Sequence, residues 1–113
     1  RSFDQYLHEN PDFLFITSAG NQGESGSKTI TSPGQGKNVF AVGSSQSEGA
    51  GLSGMDTLSN FSSRGPTDDG RTKPDIVAPG ESLQSAGANP SVVGECDETL
   101  LYKSGTSMAA PVV

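Results

Sequence analysis

Near one end of the sequence, Gly105-Thr106-Ser107-Met108-Ala109-Ala110-Pro111 sets a serine between a glycine, a threonine and a run of small residues. The spacing predicts a sharp turn that delivers Ser107 into the first turn of a helix. Gly105 permits a tight or left-handed backbone before that helix. Ala109 and Ala110 favour helix and are small enough to let it approach a sheet closely. Pro111 is expected inside the first turn, where its missing N–H has no helical partner to lose. A hydroxyl in this position meets unpaired N–H groups and the positive end of the helix dipole, which stabilise an anion developing beside it. That is the setting for nucleophilic attack on a carbonyl. The competing reading is an ordinary turn with an N-capping hydroxyl. A Gly-x-Ser-x-Gly elbow is excluded, because Ala109 stands where its second glycine would be.

A second polar group falls where a sheet would present it. Phe13-Leu14-Phe15-Ile16 is apolar at every position, as expected of a buried strand in a parallel sheet covered on both faces. Thr17-Ser18-Ala19-Gly20 then leads to Asn21. Open α/β sheets hold their ligands just past the C-terminal ends of their strands. Asn21-Gln22-Gly23 could also be a plain turn, since Asn and Gly dominate turns.

Taken together and in this order, the two segments resemble the oxyanion and nucleophile segments of the subtilisin-like serine proteases. Asn60-Phe61-Ser62-Ser63-Arg64-Gly65-Pro66 and Lys73-Pro74-Asp75-Ile76-Val77-Ala78-Pro79-Gly80 are similar to the family's connecting strands. Val39-Phe40-Ala41-Val42-Gly43 resembles another of its core strands, with Ser32-Pro33 ahead of it like the substrate-side loop. The resemblance runs over nearly all of residues 1–113. It implies an α/β fold, a mostly parallel sheet flanked by helices, present as the C-terminal portion of a catalytic domain. It further implies a serine endopeptidase acting on polypeptide substrates, with Ser107 as nucleophile. The Asn21 amide and the Ser107 backbone N–H would hold the oxyanion, and Ser18, Ala19 and Gly20 would floor the pocket for the residue before the cut. Two rivals stand beside this reading. One is an inactive homologue that keeps Ser107 and Asn21 and serves as a binding or scaffold protein. The other is an unrelated glycine-rich β module, which a parallel order of the strands at Leu14 and Val39 would discard.

Such a nucleophile needs a histidine base and an aspartate to orient it. In the family both precede the oxyanion asparagine in glycine-rich motifs, and neither motif is in this sequence. The single histidine, His8, lies in Ser2-Phe3-Asp4-Gln5-Tyr6-Leu7-His8-Glu9-Asn10. This reads as an amphipathic helix with Phe3, Tyr6 and Leu7 on one face, capping-box spacing between Ser2 and Gln5, and a stop at Asn10-Pro11. His8 falls on its polar side and reads as a solvated helix residue. The base and its aspartate are therefore expected from an N-terminal part of the catalytic domain outside these residues, which becomes a partner of this segment. With 31% hydrophobic residues, no Trp and 15 Gly, the segment is expected to be poorly stable by itself, and without a histidine placed as base it is expected to be inactive.

A formal net charge of −6 gives nucleic acid no basic patch to meet. Asp68 and Asp69, and Glu95, Asp97 and Glu98, read as surface charge rather than calcium ligands, because no Asp-x-Asp-x-Asp-Gly loop is present. The resemblance leaves structural calcium to the full-length protein, and suggests an extracytoplasmic location. Cys96 has no second cysteine with which to form an internal bridge. Gly36-Lys37 is followed by Asn38, where a phosphate loop requires Ser or Thr. Asn60-Phe61-Ser62 is a formal glycosylation sequon, whereas Asn89-Pro90-Ser91 is blocked by its proline. No apolar run reaches membrane-spanning length. Ser44–Leu58 and Ser85–Thr99 read as exposed excursions between strands.

Overall fold

The computed structural model describes residues 2–48, 56–87 and 100–113. Its elements follow in the order α1 (Ser2–Glu9), β1 (Ile16–Ser18), a 3₁₀ turn (Gly23–Ser25), β2 (Phe40–Gln46), β3 (Ile76–Glu81), β4 (Leu83–Ala86), β5 (Leu100–Lys103) and α2 (Thr106–Ala109). A further 3₁₀ turn, Ala110–Val112, continues α2. Cys96, Glu95, Asp97, Glu98 and Asn89 lie outside the described residues. Among the described residues, no helix is long and apolar enough to cross a membrane.

Strands β1, β2 and β3 form a parallel sheet in that order, with Ile16 opposite Phe40 and Val42 opposite Ile76. This parallel order discards the unrelated β module. β4 and β5 form a separate antiparallel pair, with Leu83 opposite Lys103 and Ser85 opposite Leu101. α2 packs across β2 and β3, and the core is small: Val42, Ala78 and Ala109 are buried, with Ile16, Phe40 and Ala110 against them.

Several expectations need correction. The first strand is shorter and later than the apolar run suggests: Phe13 and Leu14 precede it and are 53% and 65% exposed. Within residues 1–113 β1 stands at the edge of the sheet, and its pairing with β2 begins at Ile16. Phe13 instead meets Tyr6 edge-on, and Phe15 stacks on Phe3 with ring centroids 4.9 Å apart. Residues 60–66 form no strand. β2 runs on through Gln46, so the supposed excursion from Ser44 begins inside the sheet. Its hydroxyls are what make that burial tolerable. Ser44 is fully buried, its Oγ lies 2.9 Å from Ser59 Oγ, and its N–H donates to Ser62 Oγ. A buried hydroxyl is costly only when unpaired. Leu83–Ala86 likewise pairs as β4, trimming the second excursion. In α1 the Gln5 amide donates forward to Glu9 Oε1 rather than back to Ser2.

Two polar clamps position the sheet. Lys73, nearly enclosed, donates through Nζ to the Val39 carbonyl and to Asp75 Oδ2. The same Asp75 oxygen accepts the Ala41 N–H at 2.7 Å, which ties the approach to β3 onto β2. Asp4 of α1 accepts the Asn38 N–H, and that bond lowers its carboxyl below the usual value. Asp69 is engaged by the Arg71 guanidinium and the Thr67 hydroxyl, which bring its carboxyl down to about 2.

Gly80 at the end of β3 lets the last helix close on the sheet. A Cβ there would lie 2.6 Å from Ser44 Oγ and 2.8 Å from both Ala109 Cβ and the Gly105 carbonyl. Two of these neighbours belong to the segment carrying Ser107, so Gly80→Ala is expected to push α2 off the sheet. Overpacking of this kind costs about 1–3 kcal/mol. The full-length variant should show a lowered melting temperature together with a lowered reactivity of Ser107.

Candidate active site

The turn before α2 is pinned from below. The Gly105 N–H donates to the Gly80 carbonyl at 2.8 Å, and the Ser82 N–H donates to Ser104 Oγ at 2.9 Å. Gly105 adopts φ 154°, ψ 157°, a conformation that disfavours any side chain. The chain then enters the helix at Thr106, and Met108 and Ala109 N–H groups close back on the Gly105 carbonyl. Ser107 is thereby the second residue of the first turn, and it is exposed. Pro111 falls beyond this single α-turn, within Ala110–Val112, and not inside the first turn as its spacing suggested. The residues after Ala109 form a 3₁₀ turn.

Asn21, at the end of the segment that follows β1, meets this turn from the other side. Its Oδ1 accepts the Thr106 N–H at 2.9 Å and the Thr106 hydroxyl at 2.8 Å. The Gly20 N–H in turn donates to Thr106 Oγ1 at 3.2 Å. A backbone N–H can only donate, so the oxygen of the amide must face Thr106 and Nδ2 is the end left over. Among the described residues, neither Asn21 Nδ2 nor the Ser107 N–H has a hydrogen-bond partner. Two unused donors therefore lie on either side of Thr106, at the mouth of a helix. A side chain at position 105 would reach to 3.4 Å from Nδ2, so glycine also keeps that donor uncovered.

Thr106 is the residue that motif reading missed. It is fully buried and joins two segments 85 positions apart. The available signal was a β-branched hydroxyl immediately before the serine, where a helix start could equally use Ala.

Ser18 ends β1, and Ala19 and Gly20 lie between it and Asn21. Ala19 is fully buried, its N–H bonded to the Val42 carbonyl and its carbonyl accepting from Thr31. A Cβ on Gly20 would point at Thr31 Oγ1 and Ser63 Oγ, so its small size serves packing beneath the segment. His8 sits exposed on α1, whose contacts are with Phe13, Phe15 and Asn38.

A parallel sheet, a serine at the start of a close-packed helix and an asparagine amide bonded to the residue before that serine define a class, and comparison with known proteins agrees. Residues 2–113 match the profile of the Subtilase family, peptidase S8, and the chain belongs to that family. It is 40% identical over 105 residues to the serine protease AprX of Bacillus subtilis, covering 88% of this chain and 24% of AprX. Among solved structures, the patellamide maturation protease PatG superposes with a TM-score of 0.67 at 29% identity, covering 98% of this chain and 28% of that one. The prenylagaramide maturation protease PagA gives 0.64 at 26% identity, covering 96% and 31%. The fold is thus that of subtilisin-like protease domains, and the chain spans only about a quarter to a third of the length of these three relatives.

Proposed function

We propose that residues 1–113 are the part of a subtilase catalytic domain that carries the nucleophile and the oxyanion site, and that the whole protein is a serine endopeptidase. The observation that carries this reading is the Asn21 amide, locked through Oδ1 onto Thr106, with Nδ2 and the Ser107 N–H both left to donate. Ser107 Oγ attacks the scissile carbonyl carbon as its proton passes to a histidine supplied from outside these residues. Asn21 Nδ2 and the Ser107 N–H bind the oxygen as it takes up negative charge. Collapse of the intermediate breaks the C–N bond, the histidine's proton leaves with the amine, and water then releases the acyl group from Ser107. Ser18, Ala19 and Gly20 lie along the acyl side of the substrate. The partners of this segment are a polypeptide substrate and the remaining part of the catalytic domain. Alone, without a base, the segment does not turn over.

The test is covalent labelling of the full-length protein by a fluorophosphonate. The label should map to Ser107 and disappear in Ser107→Ala, and peptide hydrolysis should disappear with it. A folded wild-type protein that neither labels nor cleaves peptides would establish the inactive, binding-only homologue instead. His8 supplies a second check. His8→Ala in the full-length protein should leave kcat/KM within about twofold of wild type, as expected for a solvated surface residue. A collapse of activity would make His8 the base and overturn its assignment to the surface of α1.

A further inference from the structure

The segment that carries Asn21 is held at two places. Its side chain is held by α2, through the two bonds from Thr106 to Oδ1. Its backbone is held by residues 61–63. The Ser63 N–H donates to the Gly20 carbonyl at 2.9 Å, and Ser63 Oγ accepts the Gln22 N–H at 3.1 Å. One residue thus bonds the main chain immediately before and immediately after Asn21. The Phe61 carbonyl adds a third bond, accepting the Gly23 N–H at 2.8 Å. The approach is close enough to need glycine at both ends. A Cβ on Gly20 would lie 2.8 Å from Ser63 Oγ, and one on Gly23 would run into the Ser62 carbonyl. Ser63 is 1% exposed and has no room to step aside. The stretch it belongs to is itself anchored. Ser62 Oγ accepts the Ser44 N–H of β2 at 3.0 Å, and the Thr29 N–H and Arg64 N–H donate to the Arg64 carbonyl and Thr29 Oγ1, each at 2.9 Å.

We propose that Ser63 is a positioning residue for the oxyanion site: its hydroxyl, through the Gln22 N–H, fixes the backbone from which Asn21 projects and so fixes the aim of Nδ2. The inference rests on the protease reading above and deepens it. An amide fixed only at Oδ1 still swings about that bond. With its main chain fixed as well, Nδ2 keeps one direction, as a preorganised donor must. The bond from the Ser63 N–H to Gly20 survives replacement of the side chain. The hydroxyl is therefore the part of this clamp that a substitution removes, and it leaves the Gln22 N–H without its acceptor.

The experiment is a double-mutant cycle in the full-length protein, with kcat, KM and melting curves for wild type, Ser63→Ala, Asn21→Ala and the double variant. Ser63→Ala should lower kcat by about ten- to a hundredfold, the scale of a displaced catalytic group, with KM within about twofold of wild type. In the Asn21→Ala background the same replacement should change kcat by less than about twofold, because no Nδ2 remains to be aimed. A merely structural role predicts instead the same fractional loss of kcat in both backgrounds. Ser63→Cys, close to serine in size and with sulfur as a weaker acceptor, should lose less than Ser63→Ala, and it supplies the same cycle if Ser63→Ala does not fold. An unchanged kcat in the folded Ser63 variants, or an equal loss with and without Asn21, overturns the inference while the protease reading stands. Absence of both hydrolysis and Ser107 labelling in wild type overturns the reading and the inference together.

Discussion

Ser107→Ala in the full-length protein is expected to lower kcat for peptide hydrolysis by about 10⁶-fold, a figure that is subtilisin's own and is carried over rather than derived from this chain. The physical ground is local. Ser107 is exposed at the second position of α2, and Ser104 and Gly105 anchor the turn before it through bonds to Ser82 and Gly80. Those anchors do not involve the Ser107 hydroxyl, so its removal should leave the turn and the melting temperature close to wild type. Substrate binding should change little, because the strand segment around Ser18 remains. Melting curves, KM and kcat measured on one preparation check all three statements. Hydrolysis by folded Ser107→Ala within tenfold of wild type would remove the serine from the chemistry.

Replacing Asn21 separates two roles that the geometry combines. Its Oδ1 holds Thr106, and its Nδ2 is the donor proposed for the oxyanion. Asn21→Ala loses both. It should lower kcat by about 10²–10³-fold with KM nearly unchanged, a magnitude again taken from subtilisin as the type case. An interaction made only with the charge of the transition state appears in kcat rather than in KM. The variant should also melt lower, because Thr106 is left with an unpaired buried N–H at a cost of about 1–3 kcal/mol. Asn21→Asp retains an acceptor for Thr106 but no donor, and its negative charge faces the developing oxyanion. It should melt close to wild type and still lose catalysis at least as severely. A normal kcat in well-folded Asn21→Ala would reduce Asn21 to a turn residue. Recovery of kcat in Asn21→Asp would show that the hold on Thr106, not the donated N–H, was what mattered.

Features that depend only on neighbouring residues are legible in the order of residues alone. Gly105, Thr106, Ser107 and two alanines define a glycine turn into a helix whatever surrounds them, and Asn10-Pro11 ends α1 for an equally local reason. The same residues, through their resemblance to a known family, also pointed to the α/β fold with its parallel sheet. Whatever depends on the group lying opposite emerges only when the chain folds. Phe13 and Leu14 carry the apolar pattern of a buried strand, but pairing begins only at Ile16 and leaves them exposed. Ser44 reads as the start of an exposed excursion, yet its hydroxyl pairs with that of Ser59 and its N–H with that of Ser62 inside the packed sheet. Hydroxyl burial depends on partners distant in sequence, so composition and periodicity carry no trace of it. The amide of Asn21 acquired a direction only when Thr106, 85 positions away, took its oxygen. Local backbone preference is written in short strings of residues, whereas the aim of a side chain is set by the groups that close on it when the chain folds.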